Sequence, residues 1–131
     1  MGSFGNYWED KILDHIFGKA SYTAPTIYVG LSTVDPLDDA SGLAEPSGGA
    51  YARVQTAPAD WNASSGGALD NASDITFPEA TGSWGTITHF ALFDAASAGN
   101  MLAHGSLTAS KAIDSGDTAK FAAGDLDVSL D

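Results

Sequence analysis

Trp84-Gly85-Thr86-Ile87-Thr88-His89-Phe90-Ala91-Leu92-Phe93 decides the fold. The run is β-branched and aromatic, and towards its end it is apolar at consecutive positions, as expected of a strand covered on both faces. Asp94 to Asn100 then reads as a turn, and Met101-Leu102-Ala103-His104-Gly105-Ser106-Leu107 follows. The two runs therefore predict a hairpin at the centre of a sheet.

Working outward, Ile27, Val29 and Leu31 alternate with Tyr28, Gly30 and Ser32 after the Pro25 breaker, the period of a half-buried strand. Shorter strands are predicted at residues 51–57 and 75–77, and residues 114–117 (Asp-Ser-Gly-Asp) mark a tight connection. Asp125-Leu126-Asp127-Val128-Ser129-Leu130-Asp131 alternates strictly, which predicts a closing strand with Leu126, Val128 and Leu130 inside. Residues 34–49 and 58–74 are rich in Gly, Pro, Ser and Asp and read as long surface loops, with Trp61 pinning the second to the core.

One helix is expected, over about residues 7–17, where Trp8, Ile12, Leu13, Ile16 and Phe17 recur at helical spacing. Asn6 is the expected cap, Glu9 completes a capping-box pattern, and Gly18 stands where a left-handed residue ends many helices. The fold class is thus mainly β: a single antiparallel β-sandwich or barrel-like domain with one N-terminal α-helix, strands running from about residue 26 to 131. Its expected core is Trp8, Ile12, Ile16, Ile27, Val29, Leu31, Val54, Phe77, Trp84, Ile87, Phe90, Leu92, Phe93, Leu102, Leu107, Phe121, Leu126, Val128 and Leu130.

Composition narrows the function. With 131 residues the chain makes one domain, and 44% apolar residues make it a folded one rather than an acidic tail. Seventeen acids against five bases give a net charge of −12, which repels a phosphate backbone and an anionic membrane, so no direct nucleic-acid or membrane partner is expected. The absence of cysteine removes disulfides and thiolate metal sites. The N-terminus lacks the basic flank and apolar run of a secretory signal, which implies synthesis in a cytoplasm.

No catalytic constellation converges. No serine lies in a Gly-x-Ser-x-Gly elbow, and His15, His89 and His104 lack zinc-type spacing, although His89 and His104 come near each other if their strands pair. Asp35, Asp38, Asp39 and Glu45 sit in a loop, and Asp125, Asp127 and Asp131 on an outer strand face, without the buried acid that glycoside cleavage requires. Asp35-x-x-Asp38-Asp39 offers the flexible oxygen ligands that Ca²⁺ prefers, which leaves a loop-bound Ca²⁺ conceivable, but it lacks EF-hand spacing. No enzymatic activity, cofactor or metal is expected. Trp8 and Trp84 belong to predicted core stripes, which leaves Tyr51 and Trp61 as candidate interface residues.

Nearly the whole chain resembles a family of small bacteriophage tail fibre proteins. The resemblance is carried by Asn6-Tyr7-Trp8-Glu9, Leu13-Asp14-His15, Tyr22-Thr23-Ala24-Pro25, Ile27-Tyr28-Val29-Gly30-Leu31 and Gly48-Gly49-Ala50-Tyr51-Ala52-Arg53. It continues through Phe77-Pro78-Glu79-Ala80, residues 84–94, Ser115-Gly116-Asp117-Thr118 and Phe121-Ala122-Ala123-Gly124, and the acidic loop 35–45 departs from it. It implies a non-enzymatic structural protein of the virion, partnered by other virion proteins and by copies of itself. Small size, no cysteine and a strongly acidic surface make a capsid decoration or cement protein the leading reading, with a tail fibre or tail-appendage subunit as the alternative. The absence of repeats and heptads argues against a long fibre shaft.

Overall fold

The computed structural model describes residues 2–130. The elements in chain order are β1 (Gly2–Phe4), α1 (Asn6–Ile16), β2 (Tyr28–Ser32), β3 (Val54–Gln55), β4 (Ala68–Asp70), β5 (Ile75–Thr76), β6 (Gly85–Phe93), β7 (Met101–Ile113), β8 (Lys120–Phe121) and β9 (Asp127–Ser129). Seven strands form one sheet in the order β3-β2-β6-β7-β1-β9-β4, curled into a half-barrel, and β5 pairs with β8 beside it. The fold is mainly β, barrel-like, with one N-terminal helix, as the strand periods predict. Every pairing is antiparallel except that of β1 with β9.

The β6–β7 hairpin is the spine. The register of β6 against β7 shifts between Ile87 and His89 and again between Leu92 and Phe93, irregularities that bend a strand and help a sheet curl. The turn between the two strands is tied by Asp94, whose carboxylate accepts from the Asn100 backbone N–H at 2.8 Å and from its side-chain amide at 2.9 Å. Gly99 must be glycine there: its φ is +69°, and a Cβ would stand 2.6 Å from Asp94 Oδ1.

Val29, Leu31, Ile87, Phe90, Leu92, Leu102, Leu126 and Val128 fill the inner face as predicted, with Phe77 and Trp84 over them. Ile75 and Ile113 complete this core, and the fully buried Asn71 staples it. The Asn71 amide donates to the carbonyls of Ser73 and Ala122, both at 2.9 Å, and its oxygen accepts from the Leu126 N–H at 2.9 Å. Such full satisfaction is what makes a buried polar side chain tolerable.

Several expectations are corrected. Ile16 is 67% exposed rather than core, because α1 packs on β1 and β7 through its first turns and its last turn projects past them. Leu130 is 58% exposed: the inward parity of the last strand is right, but at that point the interior is open. The last residue of that predicted strand, Asp131, lies outside the described residues. Asn6 is not the cap of α1. Gly5 occupies that position without a side-chain bond, and the Asn6 N–H is taken by the Asp38 carbonyl at 3.0 Å, so the loop does the work of a cap. Glu9 makes no capping box, whereas Gly18 does adopt a left-handed φ of +71°. Residues 58–74 are not loop throughout, since they contain β4 and a short 3₁₀ turn at Pro58–Asp60. Nor was β1 expected; it lies between β7 and β9.

Candidate interaction surface

Because β3 and β4 are opposite edges of one curled sheet, the half-barrel does not close between them. Its interior opens there as an apolar groove of about 650 Å³. Leu92 and Val128 belong to its lining, as do Trp8 and Ile12 of α1 and Trp61 from the 58–74 segment. Phe4 lines the groove beside Trp8, with ring centroids 4.6 Å apart. Trp61 is held in place because its indole N–H donates to the Thr56 hydroxyl at 2.9 Å, which itself donates to the Ile27 carbonyl at 2.8 Å. Trp61 thus satisfies its polar edge inward while lining the open groove.

Tyr51, the other candidate, is placed differently. Its ring stands edge-on to Trp84 at 5.2 Å and stacks on Phe77 at 6.4 Å. Its hydroxyl donates to Glu45 at 2.7 Å and accepts from the Leu31 N–H at 2.9 Å. Glu45 in turn holds Arg53, with Nε to Oε1 at 2.9 Å and Nη2 to Oε2 at 2.7 Å. Arg53 Nη1 donates to the carbonyls of Ala95 and Ala98, and its guanidinium lies 3.5 Å from the Phe93 ring centroid. This network ties loop 34–49 and the 94–100 turn to the sheet, and it was not foreseen. The signal lay in Glu45, Tyr51 and Arg53 within nine residues, in a chain with only five basic side chains.

Burial pushes the Tyr51 hydroxyl well above its ordinary value of 10.0, and Glu45 adds to the rise, against the opposing Leu31 hydrogen bond. The unfolded chain then releases the phenolic proton while the folded chain keeps it, so stability holds below about pH 10 and falls as pH rises further. Tyr51→Phe is expected to lose about 1–2 kcal/mol at neutral pH by stranding the Leu31 N–H. It should also show a shallower alkaline decline in urea unfolding followed by fluorescence.

The pairing of β6 with β7 does bring His89 and His104 to one place. His104 Nε2 donates to Asp38 at 2.7 Å, His104 Nδ1 is 3.7 Å from Asp35, and His89 Nε2 is 4.0 Å from the same oxygen. These contacts dock the acidic loop on the sheet. Asp35 and Asp39 each accept a backbone N–H two residues on, both at 3.0 Å, and the Ser41 hydrogen bonds hold the exposed Asp39 carboxyl below the usual carboxylate range. Asp125 likewise accepts from the Ala122 N–H. These acids spend oxygens on turns, and among the described residues no group of three or more His, Asp or Glu side chains is placed to hold a metal ion.

The family comparison defines the class: the chain is a structural component of a bacteriophage virion, of the fibre type. More particularly, residues 3–129 match the family model described as Podophage GP4 fiber I protein gp80, and the chain belongs to that family. No curated protein matches it.

Proposed function

We propose that the protein is a non-enzymatic subunit of the host-attachment appendage, an adaptor or tip that docks on neighbouring fibre or tail proteins. The observation that carries this reading is the family match over residues 3–129, whose printed description is of a fibre protein. The open apolar groove supports a docking role, since an exposed cleft of this size without convergent acid, base or nucleophile fits a macromolecular contact better than a reaction. A net charge of −12 suits a particle exterior that must stay soluble and not bind released DNA. The same features would suit a capsid cement protein, and location separates the two. Immunogold labelling and quantitative gels of purified virions are expected to place the protein on the tail at low copy number. Particles lacking it should keep their heat resistance and fail to adsorb to host cells. Label over the whole shell, with DNA lost on mild heating when the protein is missing, would establish the cement reading instead.

A further inference from the structure

His104 keeps a ring nitrogen that the fold leaves unused. Its Nε2–H donates to Asp38 at 2.7 Å, which fixes the tautomer and leaves the lone pair at Nδ1. That Nδ1 is buried and has no hydrogen-bond partner among the described residues. A buried acceptor in this state asks for a water or an ion, because leaving it unsatisfied costs stability. His89 lies diagonally across the β6–β7 ladder, where it is paired with Ser106. Its Nδ1 is bonded to the Thr88 hydroxyl at 2.8 Å, and its Nε2 is turned towards the loop. The remaining nitrogens of both rings face one atom, Asp35 Oδ1, at 3.7 Å from His104 and 4.0 Å from His89. Both separations are too long for hydrogen bonds.

We propose that His89 Nε2, His104 Nδ1 and the Asp35 carboxylate form a zinc site that clips the acidic loop to the central hairpin. Two imidazoles and a carboxylate are a zinc donor set, with water completing the tetrahedron. Zinc bonds of about 2.0–2.1 Å would set neighbouring donors about 3.4 Å apart. The three side chains are spread wider than this and are not at coordinating distance as they stand. Closing each gap takes roughly half an ångström, which rotation of the half-exposed Asp35 carboxylate can supply. Its backbone, by contrast, is fixed, since Pro36 is buried and its carbonyl accepts from the Gly42 N–H at 2.9 Å. Each donor also has an outer partner that orients it, as metal ligands do: Asp38 for His104, Thr88 for His89 and the Leu37 N–H for Asp35. A cleft of about 210 Å³ between them, with Ser3 and Ser106 in its wall, has room for the ion and its water. Sequence spacing hides the site because its donors come from β6, β7 and the loop between β2 and β3.

Calorimetric titration of the purified chain with zinc chloride is expected to show one ion per chain, saturating below about 100 μM. His89→Ala and His104→Ala should each weaken binding by more than about a hundredfold. Asp38→Asn, which keeps every donor and loses only the charge that orients His104, should weaken it by about tenfold. His15→Ala should bind as the native chain does. Nitrogen NMR of histidine-labelled native protein should show zinc on Nδ1 of His104 and Nε2 of His89, with His15 unmoved, and this readout stands even where a variant fails to fold. The absence of binding at 100 μM, binding that survives the loss of either histidine, or zinc taken up with the His89 and His104 nitrogens unmoved would each overturn the proposal. The inference concerns the isolated chain, so it can fail while the fibre reading stands.

Discussion

Arg53→Met is expected to destabilise the fold by about 3–5 kcal/mol, the range for breaking a buried ion pair by removing one partner. Only 5% of the Arg53 side chain and 22% of Glu45 are exposed. The variant keeps most of the aliphatic volume but deletes four hydrogen bonds at once, two to Glu45 and one each to the carbonyls of Ala95 and Ala98. Glu45 is then left as a sheltered carboxylate whose remaining bond is from Tyr51. There is little room for it to move aside, because a Cβ on Gly30 would already lie 2.9 Å from Glu45 Oε1 and 2.8 Å from the Phe93 ring. The measurement is urea unfolding followed by tryptophan fluorescence. Glu45→Gln in the Arg53→Met background should recover part of the loss, since it removes the stranded charge. A loss below about 1 kcal/mol, the level of an exposed surface pair, would mean that solvent already reaches the network.

What was legible in the sequence follows the length of each signal. β6 could be read because nine residues keep β-branched and aromatic character, and the first half of β7 because a turn returns it to β6. The second half of β7, Thr108 to Ala112, is small, polar and exposed, so it has no apolar period; it is a strand because Thr86 and Ile87 offer it a ladder. β1 and β4 are three residues each, shorter than any period can register, and they exist because neighbours supply hydrogen bonds. Ile16 and Leu130 were misplaced for a common reason: periodicity gives the direction of a side chain but not how far the opposing surface extends. Tyr51 and Trp61 looked alike as aromatics in Gly-rich company, and only the chain's return path separates them, one against Trp84 and the other at the groove. The groove itself was hidden because Phe4, Ile27, Leu69 and Leu130 reach it from four separate segments.

Phe90→Ala is the second large effect expected, again about 3–5 kcal/mol, here from a cavity rather than a charge. Phe90 is 3% exposed at the middle of β6, where its backbone is laddered to Leu31 of β2 on one side and Gly105 of β7 on the other. Gly105 is held by its pairing with Gly2 and Leu31 by the Tyr51 hydroxyl, so the sheet cannot close over the missing ring, and that is the condition in which cavity costs are highest. The ring packs edge-on to Phe121 at 6.2 Å. It also lies so near the backbone of Gly2 that a Cβ there would stand 2.5 Å from its Cζ. Truncation therefore takes packing from β1 as well as from β8. Since β1 joins β7 to β9 and leads directly into α1, its backbone amides should exchange with solvent faster in the variant than those of β6. Urea unfolding should show a lower midpoint at unchanged slope, the signature of lost native stability rather than a changed unfolded state. A shift worth less than about 1 kcal/mol would mean that Phe121 swings into the space and that the centre of the sheet is softer than its pairing implies.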